Sequence, residues 1–168
     1  MNFKTVREYN FPVDKTVKIF FDSDESYDMN ELANVTAWKV IDEKDYGDRR
    51  VGTKEWCAHS QIPPVLQHVI NPRMLTWLEH SEWNRVTNVY TFTIVPHFLK
   101  KQVSCKGKTS YFEKSPDKCG RTFEIMLKVD IPIFGPIFEN FILGALKQNE
   151  EQDFILSVKS LEKVYNKK

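Results

Sequence analysis

The sequence predicts an α+β fold in which one strand, two short helices, six antiparallel strands and one long C-terminal helix follow each other. Two observations lead to this prediction. Apolar and polar residues alternate in short segments between residues 35 and 131, a pattern typical of strands. From residue 137 to about residue 165 there is no proline, and apolar residues recur at helical spacing. Most connections between the strands are short, so we expect a meander.

The composition limits the classes of protein to which this chain can belong. Its 168 residues form most simply one domain, residues 1–168, and its 41% hydrophobic and 28% charged residues are ordinary for a globular protein. A net charge of +1 argues against a general nucleic-acid binder. No apolar run approaches the roughly 18 residues that span a bilayer, and the charged N-terminus differs from a signal peptide. Together with three widely separated cysteines, these features predict a cytoplasmic protein with free thiols.

The N-terminal region predicts a strand and two short helices. Residues 3–11 alternate and give a strand whose inner face is aromatic and contains Tyr9, with Arg7 in the same register. Asp14 can cap the first short helix after this strand. An acidic segment follows and can cap a second helix over residues 26–33.

The six later strands are expected at residues 35–41, 49–59, 74–83, 86–95, 99–112 and 123–131. Their inward-facing side chains should include Trp77, Tyr90, Phe92, Ile125 and Leu127, and the charged residues Glu79 and Lys101 share that register. An inward charge is costly unless it is paired or solvated. Arg7 and Lys101 therefore either hold the carboxylate or phosphate of a ligand, or pair with Glu79 or reach the rim. A slip of one residue would exchange the two faces of a strand.

One long connection, at residues 60–72, interrupts the strands. It carries five apolar residues, and those around Leu66 and Val69 are spaced for one short amphipathic turn that begins at Pro64. Apolar residues in a loop must find burial. The segment is therefore either a flap over a cavity mouth or a loop that plugs the core.

The long C-terminal helix carries two apolar stripes on roughly opposite sides. Phe138, Phe141 and Ile142 belong to the stripe of the first half, and Phe154 belongs to that of the second half. A helix lying on one flat sheet would need only one stripe. The pattern therefore indicates either a buried helix with a kink near Gly144, or a first half that borders a cavity or a partner.

No catalytic or metal-binding motif stands out. The histidines are not spaced as H-x-x-x-H, there is no G-x-S-x-G, and the six glycines form no phosphate-binding loop. Cys57 and His59 are two residues apart, but a strand places such residues on one face in an ordinary way. We expect neither a cofactor nor a metal ion.

The order of elements, together with the Phe- and Ile-rich terminal helix, resembles the helix-grip fold of the START and birch-pollen-allergen superfamily. This resemblance implies a curved sheet of about seven strands that wraps round the last helix and leaves a cavity between them. A closer likeness is to the PRELI-like lipid-transfer proteins. It rests on TKEW (residues 53–56), PVLQHVI (64–70), EHS (79–81), Tyr111 and Glu139. In that family the segment that matches residues 64–70 is a lid over a lipid-binding cavity.

We expect non-enzymatic binding, with transport or sensing, of a hydrophobic small molecule such as a lipid or fatty-acyl compound. The expected ligand-binding residues are Arg7, Tyr9, Leu66, Val69, Trp77, Glu79, Tyr90, Phe92, Lys101, Ile125, Leu127, Phe138, Phe141 and Ile142. One alternative is a polyketide cyclase or aromatase-like enzyme, with Glu79, His59 or His97 as acid or base. The other is an interaction module whose cavity is filled by its own side chains. If Phe134, Ile137 and residues 64–70 meet at one cavity mouth, they form a patch for transient membrane contact.

Overall fold

The structure, a computed structural model, describes residues 1–58, 62, 64–68, 71 and 75–166. Its strands are β1 (Asn2–Tyr9), β2 (Val35–Asp45), β3 (Arg49–Ala58), β4 (Thr76–Asn84), β5 (Val89–Pro96), β6 (Val103–Ser115) and β7 (Lys118–Val129). Its helices are α1 (Val13–Phe21) and α2 (Gly135–Tyr165), with single 3-10 turns at Met29–Glu31 and Pro64–Leu66. The predicted order of strands and the long terminal helix are confirmed.

All seven strands form one antiparallel sheet in the order β1-β7-β6-β5-β4-β3-β2. Strands β2 to β7 are the predicted meander, and β1 pairs with β7 along its whole length. The first strand of the chain therefore lies beside the strand that leads into α2. This neighbourhood allows side chains of β1 and β7 to reach the same helix.

Two boundaries in the N-terminal region differ from the prediction for local reasons. The second predicted helix is only one 3-10 turn, because Asp28 and Glu31 form a capping box and the chain is extended again at Leu32. The prediction that Asp14 caps α1 is also wrong. Asp14 lies in the first turn of the helix, after Pro12 at the capping position.

Strands β5 and β6 begin later than the sequence predicts. Residues 85–88 form a turn in which Asn88 has a φ of 54°, so β5 begins at Val89. Leu99 has a φ of 56° and lies in the turn before β6, which begins at Val103. The predicted inward position of Lys101 is wrong, because Lys101 belongs to that turn and is exposed.

Strand β7 illustrates how alternation builds the inner face of the sheet. Ile125, Leu127 and Val129 are buried in one cluster with Phe138 of α2, whereas Met126 is exposed. The strand therefore presents one apolar face to the helix and one face to solvent, as the period-two pattern predicts.

The apolar interior divides into two clusters along α2. The first surrounds Leu127 and Phe138 and includes Leu66, and the second surrounds Tyr9 and Leu161 and includes α1. The two apolar stripes of the helix face these two clusters. The helix is uninterrupted through Gly144, so each half of one continuous helix packs on its own cluster.

Two glycines lie in contrasting surroundings. A Cβ on Gly107, on the inner face of β6, would lie 2.3 Å from a ring atom of Phe92 and 2.8 Å from the carbonyl oxygen of Glu124. A Cβ on Gly144 of α2 would meet no atom within 4 Å. The ring of Phe92 thus occupies the space above Gly107, and Gly144 only weakens the helix.

We predict opposite effects for alanine at these two positions. Gly144→Ala raises the free energy of unfolding by about 1 kcal/mol, because alanine is the better helix former in an open position. Gly107→Ala lowers it, since the Phe92 ring must move out of its place. Urea denaturation of both variants checks this, and a Gly144→Ala variant that unfolds earlier than the parent would contradict the described helix.

Candidate functional site

A cavity of about 180 Å³ lies between the first half of α2 and the inner faces of β4 to β7. Its walls are mostly apolar. Trp77 and Ile94 contribute from the sheet, and Phe141, Ile142 and Ala145 contribute from the helix. The first stripe of α2 therefore borders unfilled space as well as the first apolar cluster, which agrees with one of the two alternatives for this stripe, a first half that borders a cavity.

Few polar groups reach this cavity. At one end the Asn34 side chain donates to the Asn149 side-chain oxygen at 2.9 Å. On the β6 wall, burial raises the pKa of the Cys105 thiol to about 12, and the nearby charge of Glu79 adds to this shift. Cys105 is therefore protonated at neutral pH and acts as a small apolar group rather than as a nucleophile.

The predicted ligand-binding residues divide into four groups. Those that line the cavity are Trp77, Leu127, Phe138, Phe141 and Ile142. Leu66, Phe92 and Ile125 lie in the apolar cluster that contains Leu127 and Phe138, but they do not line the cavity. Val69 lies outside the described residues, as does His59. The cavity is not lined by the remaining five predicted residues, Arg7, Tyr9, Glu79, Tyr90 and Lys101.

Three of these predicted positions are therefore placed elsewhere. Tyr9 is buried in the second cluster, with its ring centroid 5.8 Å from that of Phe20 and 5.3 Å from that of Phe154. Arg7 does not pair with Glu79. It binds carboxylates of α2 instead, and Lys101 lies in the exposed turn before β6.

Glu79 and Tyr90 form a hydrogen-bonded pair inside the sheet. The hydroxyl of Tyr90 donates to a carboxylate oxygen of Glu79 at 2.5 Å. Burial and the charge of Glu79 hold the pKa of Tyr90 well above its ordinary value. Lys54 lies opposite Glu79 across β3 and β4, and its ammonium nitrogen is 5.9 Å from the centre of the Tyr90 ring. An acid, a phenol and an amine therefore share one region of the inner face.

An open cleft of about 710 Å³ lies between the segment after α1 and strands β2 to β4. It is lined by Lys54 and Tyr90, and Trp38 forms part of its wall. Trp38, Trp56 and Trp77 stand directly opposite one another on three adjacent strands, with ring centroids 5.8 Å and 6.5 Å apart. The buried ring of Trp56 thus lies between the cleft, bordered by Trp38, and the cavity, bordered by Trp77. A further depression of about 750 Å³ lies over β4 to β7 and β1, where outer-face residues such as Thr93 and Lys106 line it together with Phe3 and Phe92.

A buried ion-pair network joins the sheet to the middle of α2. Arg7 and Arg121 are direct neighbours on β1 and β7. A nitrogen of Arg7 lies 2.7 Å from one carboxylate oxygen of Glu150, and a nitrogen of Arg121 lies 3.1 Å from the other. Asp153, one turn further along α2, accepts from both Arg121 and the hydroxyl of Tyr27. Five side chains from four segments therefore meet between the sheet and the middle of α2.

Sequence reasoning missed most of this network. Only Arg7 was singled out, whereas Arg121, Glu150 and Asp153 carry its charges as well. The signal that could have found it was present in the sequence. Arg121 continues the inward register of Ile125, and Glu150 and Asp153 are three residues apart, which places them on one side of a helix.

The other candidate residues for enzyme chemistry lie apart from the cavity. His97 lies 2.9 Å from a carboxylate oxygen of Glu55, which also binds Lys39 at 2.7 Å. Cys57 is partly buried, and its predicted neighbour His59 is outside the described residues. Among the described residues no group of three potential ligands is arranged for a metal ion. Among the described residues, no helix is long and apolar enough to cross a membrane.

We predict that the ion-pair network makes stability depend on pH. Burial alone would raise the pKa of Glu150, but the hydrogen bonds from Arg7 and the charges of Arg121 and Arg7 outweigh it and lower the pKa below 4.5. A carboxyl whose pKa is lowered by folding stabilises the protein above its unfolded pKa and loses this effect as the pH falls. Glu150→Gln should therefore cost about 3 kcal/mol at neutral pH, because the buried Arg121 and the partly buried Arg7 lose a charged partner.

Denaturation of wild type and Glu150→Gln over a series of pH values checks this. The difference in free energy of unfolding should shrink as the pH falls below 4.5. Glu124→Gln is the matched control, since Glu124 binds Lys4 and Lys108 at the surface, and it should change stability little. A Glu150→Gln effect that is small, or equal at all pH values, would contradict the role of the network.

The chain matches one family model, described as Protein of unknown function (DUF2505), over residues 4–156. No curated protein matches it. Solved structures do match. The protein TTHA0849 from Thermus thermophilus is 14% identical with a TM-score of 0.70, and the match covers 98% of this chain and 99% of that chain.

Two further structures belong to an enzyme and to a START protein. Norcoclaurine synthase from Thalictrum flavum is 13% identical with a TM-score of 0.65, covering 96% of this chain and 87% of that chain. A START superfamily protein from Mycobacterium smegmatis is 10% identical with a TM-score of 0.61, covering 97% and 98% respectively. Identities this low show the fold alone. The chain thus belongs to the DUF2505 family of proteins of unknown function, and it has the helix-grip fold of the START and birch-pollen-allergen superfamily.

Proposed function

We propose that this protein binds a hydrophobic small molecule in the cavity beneath the first half of α2, and that it carries or senses this molecule without transforming it. The observation that supports the proposal best is the position of the cavity. It lies against the apolar stripe of the first half of α2, and its walls are mostly apolar. Ligand pockets commonly combine apolar walls with a few placed polar groups, and the Asn34–Asn149 pair supplies such groups at one end.

The size of the cavity restricts the ligand. Its volume of about 180 Å³ is below that of typical ligand pockets and comparable to cavities that hold one small ring. A ligand that loses about 200 Å² of apolar surface gains about 5 kcal/mol. Association costs a similar amount, so a single ring would bind weakly. Useful affinity therefore favours an elongated molecule, such as a fatty-acyl chain, that occupies the cavity and continues beyond it.

The unfilled space also bears on the interaction-module alternative. If aromatic side chains filled the space between the sheet and α2 completely, no cavity would remain beside Phe138 and Phe141. Both residues line the cavity here, although Phe138 is itself almost fully buried. The packing therefore favours a ligand over a filled core.

A cavity-filling variant tests the proposal. Ala145→Leu places a larger side chain in the cavity, so the affinity for palmitic acid should fall by about tenfold or more while the melting temperature stays the same or rises. Lys147→Leu, two residues further along the same helix and exposed, is the matched control and should bind like wild type. Isothermal titration calorimetry with palmitic acid, and separately with naphthalene as a compact ring, measures both variants.

The proposal fails if wild type binds neither probe, or if Ala145→Leu binds as tightly as Lys147→Leu. Tighter binding of naphthalene than of palmitic acid would overturn the choice of an elongated ligand.

A second candidate function, acid–base catalysis, is supported by the arrangement of Glu79, Tyr90 and Lys54. The phenol donates to the carboxylate at 2.5 Å, and the amine lies beside the ring of the phenol. Enzymes such as norcoclaurine synthase share this fold, which makes catalysis on a bound substrate chemically reasonable. A pair of this kind could take a proton from a ligand that enters the cleft beside Lys54.

Catalysis predicts a turnover that depends on pH and is lost in Glu79→Gln. A screen of aromatic and polyketide-like substrates with wild type and Glu79→Gln measures it, and Tyr90→Phe separates the phenol from the carboxylate. Any turnover that is equal in wild type and Glu79→Gln would exclude this pair as the acid and base.

A further inference from the structure

Four exposed apolar side chains lie in the loops at one end of the sheet and at the start of α2. Ile133 is 85% exposed, Val65 47%, Phe98 46% and Ile137 37%. We call these four residues the apolar tip. Single exposed apolar residues are ordinary on a protein surface, but a group of them marks a contact site.

Contacts between three segments bring the apolar tip together. The backbone N–H of Asp130 donates to the carbonyl oxygen of Gln102 at 2.7 Å, which joins the loop before α2 to the loop before β6. Leu66, Leu99 and Phe134 pack in the same apolar cluster. Each of these three residues is the direct sequence neighbour of one tip residue. The four tip residues therefore all lie next to residues of the same apolar cluster.

The backbone holds Ile133 in its exposed position. Its φ is 67°, a strained conformation for a β-branched residue. Two short-range hydrogen bonds enforce this turn. The N–H of Phe134 donates to the oxygen of Pro132 at 2.7 Å, and that of Gly135 donates to the oxygen of Ile131 at 2.8 Å. Strain of this kind persists where the surroundings impose it, and it is common at functional sites.

The charges beside the apolar tip are mainly positive. Lys100 and Lys101 lie in the same turn as Phe98, separated from it by Leu99, and both are exposed. The two loops, residues 97–102 and 130–134, contain a single acidic residue, Asp130. A cationic rim around exposed apolar residues is complementary to a bilayer surface that contains anionic lipids.

The apolar tip is also continuous with the cavity. Phe98 lines the cavity and is at the same time nearly half exposed, and Leu99 beside it lines the cavity too. An apolar ligand that moves along these side chains would remain in contact with apolar surface between the cavity and the outside.

We propose that the apolar tip docks on anionic lipid bilayers and that the ligand enters and leaves the cavity there. Ile133 and Phe98 insert among the lipid chains, and Lys100 and Lys101 bind the anionic headgroups. The statement about ligand exchange rests on the proposed function, whereas docking itself does not.

Vesicle flotation tests the docking. Wild type should float with phosphatidylcholine vesicles that contain phosphatidylserine, and less with pure phosphatidylcholine vesicles. Ile133→Glu should reduce the bound fraction by about fivefold or more, because a charge replaces the inserting side chain. The double variant Lys100→Glu, Lys101→Glu should lose the preference for phosphatidylserine.

Val86→Glu is the matched control. Val86 is an apolar residue that is 77% exposed, but it lies in the turn at the opposite end of β5 from Phe98. It should float like wild type. Equal flotation of Ile133→Glu and Val86→Glu, or no flotation of wild type, would overturn the proposal. A wild-type dimer that Ile133→Glu converts to a monomer, without flotation, would assign the tip to contact between two copies and would also overturn it.

Palmitic acid titration of the same variants separates this proposal from the proposed function. Ile133→Glu should bind palmitic acid like wild type, since Ile133 does not line the cavity. Flotation without palmitic acid binding would support docking and overturn ligand exchange. Binding without flotation would overturn docking and leave the proposed function in place.

Discussion

The buried contact of Arg7 and Arg121 with Glu150 is the interaction on which the arrangement of this molecule depends. It joins β1 and β7 to the middle of α2, and Asp153 and Tyr27 extend it to the segment after α1. Two arginines side by side on the inner face would repel each other without these carboxylates. Buried pairs add less net stability than their Coulomb attraction implies, but losing one partner is costly. The network therefore fixes where α2 crosses the sheet.

This central contact explains why the two halves of α2 differ. Beyond Glu150 the helix packs closely against Tyr9 and α1, with Leu161 fully buried. Before Glu150, the apolar stripe that contains Phe141 borders a cavity. A cavity costs stability because its walls lose contacts. Since the second half and the network hold the helix in place, the first half can leave space for a ligand.

The sequence was sufficient to predict the sheet and the helix, because alternation and helical spacing are local patterns. It predicted Leu127 and Phe141 at the cavity for the same reason. It was insufficient where the answer depended on distant partners or on turns. In the local sequence Arg121 is not distinguishable from other polar strand residues. Its partner Glu150 lies on α2, so the pair becomes visible only when β7 and α2 are in contact. Lys101 was misplaced because the left-handed conformation of Leu99 delays the start of β6. The likeness to PRELI-like proteins stays a prediction.

The central claim is that the space under the first half of α2 belongs to a ligand. Native mass spectrometry of the freshly purified protein, followed by solvent extraction of bound material, tests it most directly. We expect a stoichiometric apolar compound with an acyl chain, released when the protein is denatured. A chain whose measured mass equals that of the sequence alone, and that stays bare after incubation with a panel of lipids, would contradict the account.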